Sequence, residues 1–250
     1  MTILGAIEIR PRTTLPGLNA CLASVRHWNP DSRILVFNRS MGHEGLTGLL
    51  SRYGVEVIPW EPLLGDNGVE LGRFVQYGHY LQTHPIDDRI VMIDLLDVVA
   101  QGPWSTLPPG VFEENKIIRE CPYNSAWMRI AFPEQDFKDH TVICCGAIVA
   151  DPVWALDYTQ AYIDNLASRR CIAPGGFDTS FLTYYVRTRP GRTQVFPYWN
   201  LAAMHIGYAP TDTVHYTNQM IDIEGGIPLL VHQYNRHKQV WKPVHRQWGV

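Results

Sequence analysis

No apolar stretch in these 250 residues approaches the ~18 that a membrane-spanning helix needs, and the amino terminus has neither a charged region nor a hydrophobic segment of secretory length. A paired-cysteine pattern is missing as well. Cys21, Cys121, Cys144, Cys145 and Cys171 are odd in number, irregularly spaced and free of any C-x-x-C. That usage argues against a disulfide framework or a thiolate zinc site, and the expected setting is the reducing cytoplasm. Charge is scarce: 18% of residues are charged and the formal net charge is −3, so no strong field favours nucleic acid or an anionic membrane. The glycine signatures G-x-x-x-x-G-K-[ST] and G-x-G-x-x-G after a strand do not occur, nor does the G-x-S-x-G of serine hydrolases. A nucleotide here would need a metal and side chains to hold it.

What the chain does have is 46% hydrophobic residues, enough for a real core in one α/β domain. The stretch Arg89 to Gly102, R-I-V-M-I-D-L-L-D-V-V-A-Q-G, organises the rest. Its apolar run Ile90 to Ile93 fits a strand covered on both faces. Asp94 and Asp97 follow directly, at the carboxyl end of the strand, where open α/β sheets place their ligands. Three residues apart, they can be aimed at one point by a tight turn. Two such charges need a cation between them, and carboxylate oxygens suit Mg²⁺ or Mn²⁺. A solvated acidic turn is the plainer alternative.

Upstream, strands at 2–9, 33–38 and 55–60 alternate with helices beginning near Pro16 and at 44–53, which implies parallel pairing. A helix over 72–82 carries Arg73 into the central strand, where it could brace the aspartates or meet a ligand. Downstream the pattern loosens. Strands are expected near 111–119, at 142–150, at 194–197 and at 228–232, with a short helix at 125–131 and a long one from Pro152 to about Ser168. Asp178 follows Gly175-Gly176 and fits a helix N-cap, or a contact to a sugar hydroxyl. Gly146, inside the strand at 142–150, allows close backbone approach. His232 is a candidate third metal ligand, although one His among ten is more simply a structural residue. From Gln233 onward the tail is polar, basic and aromatic.

Taken in order, these segments resemble a family. The D-x-x-D-V-x-x-Q of Asp94, Asp97, Val98 and Gln101 is similar to the metal motif of one branch of GT-A nucleotide-sugar glycosyltransferases. Arg73 matches the arginine one helix before that motif. Cys145-Gly146-Ala147 stands where these enzymes carry Asn-Ala-Gly, with cysteine in place of asparagine. Phe177-Asp178-Thr179 and Trp199-Asn200 resemble later motifs, and His232-Gln233-Tyr234-Asn235-Arg236 resembles a metal-binding H-Q-Y-D-R, with Lys238 at the offset of a diphosphate-binding lysine.

The resemblance implies a single GT-A type, Rossmann-like mixed sheet flanked by helices over 1–250. Residues 1–102 would form the nucleotide half, and 103–250 the acceptor and donor-sugar half with a closing tail. It implies a metal-dependent transferase taking a sugar from a nucleoside diphosphate sugar, UDP favoured, to an acceptor, with retention slightly favoured. Asp94, Asp97 and His232 would hold Mn²⁺ or Mg²⁺. Arg10, Trp60, Arg73, Asp94, Gln101, Arg236 and Lys238 would contact the donor, and Asp178 and Asn200 would serve the reaction. No nucleic acid or membrane span is expected, and a homodimer is one arrangement open to the chain. Two alternatives remain: a sugar nucleotidyltransferase, and a non-catalytic nucleotide-sugar-binding protein of the same fold.

Overall fold

The apolar residues of the central strand alternate between two cores. The computed structural model describes residues 1–9, 15–63, 68–169 and 175–249. In it β1 (Thr2–Ile7), β2 (Arg33–Asn38) and β3 (Glu56–Pro59) alternate with α1 (Leu15–Trp28) and α2 (Glu44–Arg52), and α3 (Val69–Thr83) leads into β4 (Ile90–Asp94). Then come β5 (Val98–Ala100), β6 (Gly110–Ile117), α4 (Pro122–Ala131), β7 (Thr141–Ala150), α5 (Pro152–Ser168), α6 (Phe177–Arg187), β8 (Val195–Phe196) and β9 (Ala203–His205). A hairpin of β10 (Val214–Thr217) and β11 (Met220–Ile223), β12 (Leu230–His232) and α7 (Lys238–Gln247) complete the chain.

The main sheet has the order β3-β2-β1-β4-β7-β6-β9-β12-β5, with β8 paired to β6. The amino-terminal strands pair in parallel, as the strand–helix alternation requires, and β7 runs antiparallel to β4. Ile90 and Met92 face a core built with Phe74, Tyr158, Tyr162 and Phe181. Val91 and Ile93 face the other side, against Leu18, Leu22 and Val25 of α1. Period-two alternation therefore buries both faces of β4. A mixed α/β sheet flanked by helices is the expected architecture, and it is the one found.

Several elements depart from expectation. Strand β9 and the β10–β11 hairpin lie in segments that carry no strand pattern of useful length. The polar tail forms α7, seating Val240 and Val244 one turn apart in a third cluster with Met204, Val214 and Val231. The helix expected to be capped by Asp178 takes Gly176 as its N-cap, and Asp178 sits inside its first turn. No helix among the described residues is long and apolar enough to cross a membrane.

Candidate functional site

A cleft of about 880 Å³ opens at the carboxyl ends of β1 and β4. Asp94, Asp97, Arg73, Asp178, His232 and Arg236 all border it, which brings together six of the residues singled out in the sequence. The two leucines between the aspartates shape the turn. Leu95 is buried against Gly5, and the Leu96 carbonyl lies against Gly17 of α1. A Cβ at either glycine would collide with these atoms, so the turn rests on two bare patches of backbone.

Strand pairing delivers the late histidine. β12 runs antiparallel to β5 with His232 opposite Val98, the residue after Asp97. The chain then turns sharply: Gln233 has φ 65°, in the left-handed region, and its N–H donates to the Asp97 carbonyl at 2.8 Å. The ring of His232 lies directly over Gly146, where any Cβ would strike it. The close approach expected at Gly146 is thus made by an imidazole.

His232 is 1% exposed, and its Nε2 makes no hydrogen bond. That atom lies 3.3 Å from an oxygen of Asp94 and 3.3 Å from an oxygen of Asp97. The donor set is two carboxylate oxygens and one imidazole nitrogen, all within 4.8 Å of one another. Oxygen-rich sets with one imidazole fit Mn²⁺ or Mg²⁺ better than soft metals.

Among the described residues a second group, Cys144, His205 and His232, also clusters this tightly. It fits an ion poorly. Its two Nδ1 atoms are 2.7 Å apart, whereas tetrahedral Zn–N bonds of about 2.0–2.1 Å would hold them roughly 3.3 Å apart. That separation is a hydrogen bond.

Arg73 is 7% exposed and occupied on three sides. It pairs with one oxygen of Asp94, donates to Asp178 at 2.8 Å, and meets Cys145 Sγ at 2.9 Å. Burial works against its charge, but Cys145 and Asp178 outweigh burial and raise its pKa. Burial, and then Asp178, push the Cys145 thiol up to about 12, so Cys145 stays protonated and unreactive. Arg73 therefore braces the acids, one of the two roles open to it. It leaves the other oxygen of Asp94 facing His232.

No protein-family model matches the chain, and neither does any curated protein sequence. Solved structures do. The chain is similar to the galactosyltransferase LgtC in complex with donor and acceptor sugar analogs, with a TM-score of 0.56 at 10% identity, covering 100% of this chain and 97% of that one. It is also similar to the glycosyltransferase GlyE of Streptococcus pneumoniae TIGR4, with a TM-score of 0.52 at 13% identity. That match covers 99% of this chain and 62% of GlyE, so the chain spans less than two thirds of its relative. The fold is the GT-A fold of these glycosyltransferases.

Other expected site residues lie elsewhere on this GT-A scaffold. Gln101 is 5% exposed and spends its amide on backbone, donating to the carbonyls of Ile221 and Pro228 and accepting from Ile221 N–H. It locks β5 to the hairpin and does not border the cleft. Asn200 accepts from Ala202 N–H at 2.8 Å, also away from the cleft. Trp60 follows β3, with the Arg39 guanidinium 5.9 Å from its ring, and Lys238 is an exposed residue opening α7; neither borders the cleft. Arg10 lies outside the described residues.

Three cleft residues carried no sequence signal. Glu114 is buried, and burial raises its carboxyl pKa. Tyr208 receives Arg236 on its ring face at 5.4 Å. Trp127 packs directly on Gly176 and shares an edge of the cleft with Tyr123. Pairing β6 with β9 and seating α4 beside α6 creates these neighbours, and neither event is local in sequence.

Proposed function

We propose that the protein transfers a sugar from a nucleoside diphosphate sugar, UDP-linked by preference, to an acceptor, with Asp94, Asp97 and His232 holding a divalent cation. One observation carries this reading: the buried, otherwise unpartnered Nε2 of His232 lies 3.3 Å from an oxygen of each aspartate. A buried imidazole nitrogen aimed between two acids is costly unless something fills the gap. When bound, Mn²⁺ or Mg²⁺ would supply Lewis acidity to the diphosphate oxygens, whose charge grows as the glycosidic bond breaks.

The chain's own residues do the remaining work. Arg73 pairs with Asp94 and Asp178 and fixes where both carboxylates point. Arg236, at the cleft margin over Tyr208, adds positive charge for the leaving diphosphate. Tyr123 and Trp127 form an aromatic edge of the cleft against which a sugar ring could pack. An inverting reaction needs a carboxylate to take the acceptor proton. Asp178, the candidate for that role, is 6% exposed and has one oxygen held by Arg73 at 2.8 Å, which leaves little of the carboxylate free to reach an acceptor hydroxyl. This favours retention of configuration.

The test is release of free UDP from UDP-sugars with and without Mn²⁺. The unaltered protein is expected to turn over only with the metal, and Asp97→Ala is expected to lose at least about a hundredfold in kcat/KM, since electrostatic stabilisers of this kind supply that much. Binding without diphosphate release would instead support a non-catalytic carrier. Full activity of Asp97→Ala in the presence of chelator would remove the metal from the reaction.

A further inference from the structure

Behind His232 lies a row of buried polar side chains that the transfer reaction does not use. Glu114 on β6, His205 on β9 and His232 on β12 stand in register across neighbouring strands, and Cys144 of β7 lies beside them. His205 is wholly buried and meets the His232 ring edge-on, with planes at 88° and centroids 4.9 Å apart. We propose that His205 is a positioning residue for the cation site: its Nδ1 accepts the hydrogen bond of His232 Nδ1–H, fixing that ring in the tautomer whose bare Nε2 faces Asp94 and Asp97. This rests on the metal reading of the site.

Hydrogen counting sets the direction of this bond. Two Nδ1 atoms 2.7 Å apart share one hydrogen, so one ring donates and the other accepts. A nitrogen that ligates a cation must present its lone pair. If Nε2 of His232 does so, the hydrogen of that neutral ring sits on Nδ1, and His205 is the acceptor. Cys144 Sγ, 3.6 Å from the same Nδ1, is a longer and weaker alternative. His205 must then carry its own hydrogen on Nε2, a buried atom with no partner. Leaving that N–H unpaired is unfavourable. The fold tolerates it at the point where it fixes which nitrogen of His232 faces the acids. The backbone of Gly146 lies against the Nδ1–Cε1–Nε2 edge of the same ring, which limits how far the ring can move when the bond is weakened. Second partners of this kind commonly change metal affinity by about tenfold to a hundredfold.

The experiment is Mn²⁺ titration of the full chain, reading free ion by electron paramagnetic resonance, with thermal melts to check folding. His205→Leu keeps an apolar body and removes the acceptor, and affinity is expected to fall about tenfold to a hundredfold. His205→Asn places an amide oxygen where Nδ1 stood and is expected to recover most of the loss. Imidazole nitrogen NMR of the unaltered, Mg²⁺-loaded protein gives a reading that needs no variant: His232 should carry its hydrogen on Nδ1 and His205 on Nε2. The inference is overturned if His205→Leu binds Mn²⁺ as the unaltered protein does, if the folded Asn variant is as weak as the Leu variant, or if the two tautomers are reversed. Failure of the unaltered protein to bind Mn²⁺ would overturn the metal reading itself, and this inference with it.

Discussion

Arg73→Met is the most informative single substitution in the molecule. The guanidinium and the Asp178 carboxylate each have side chains only 8% exposed, and they meet at 2.8 Å. Methionine keeps the length of the apolar stem and fills similar space, so cavity formation is minor. What is lost is the only cation paired with Asp178 among the described residues. Removing one partner of a buried ion pair costs about 3–5 kcal/mol, because the other charge stays buried without compensation. In a chain of this size that corresponds to a fall in Tm of roughly 6–20 °C. Asp94 suffers less, since its side chain is 32% exposed and water can replace the lost contact. The cycle closes with the double variant Arg73→Met, Asp178→Leu. Replacing both charges by apolar groups removes the orphan, so stability should return to within about 1–2 kcal/mol of the unaltered protein. Urea unfolding of all four proteins measures each corner. A single-variant loss below about 1 kcal/mol, or a double variant that simply adds the two single losses, would refute the view that Arg73 braces the acids.

Three further outcomes are expected. Gly146→Ala should push the His232 ring off its seat and weaken Mn²⁺ binding at least tenfold while the protein stays folded, as followed by ion titration and circular dichroism. Gln101→Ala should cost about 1–3 kcal/mol in urea unfolding, because it strands buried backbone groups of Ile221 and Pro228, yet leave KM for the donor unchanged; a raised KM with intact stability would return Gln101 to the donor site. Burial lowers the pKa of His245 on α7, so folding disfavours its protonation. The contribution of His245 is whole above about pH 6.5 and is lost as pH falls through its lower folded value, and His245→Gln should flatten the decline in Tm below that pH.

Local pattern explains what could be read in advance. Ile90 to Ile93 lies between two helical layers, and a continuous apolar run announces that without reference to distant residues. Asp94, Asp97 and His232 were legible as types of ligand, and Gly146 as a place of close approach. What approaches it depends on β12 pairing with β5, which no short window contains. The same limit hid His205, whose strand is three residues long. Helix α7 was obscured by Pro243 in its interior and by having only Val240 and Val244 as buried anchors. Asp178, after Gly175-Gly176, stands at the expected start of a helix, which fits a cap as well as a contact to a sugar hydroxyl. The chain uses the second of those glycines as the cap, one bearing the flat face of Trp127, and turns the carboxylate inward to Arg73. Gln101 stands in a motif, while its amide bonds to Ile221 of the hairpin and to Pro228 join segments 120 or more residues away, which no local pattern announces.

The turn Asp94 to Asp97 joins strands that are far apart in sheet order. Between β4 and β5 lie β7, β6, β9 and β12. On a flat sheet five strand spacings would separate them by about 24 Å, but the four residue steps from Asp94 to Val98 can reach only about 14 Å. The sheet must roll over until its edge returns to its middle, with the acidic turn as the clasp. β12 follows the other described strands in sequence, yet it fits between β9 and β5 rather than at a margin. A nascent chain therefore carries both aspartates long before anything stands opposite them. The cleft can acquire its imidazole only after His232 has been made and β12 has found its slot between β9 and β5.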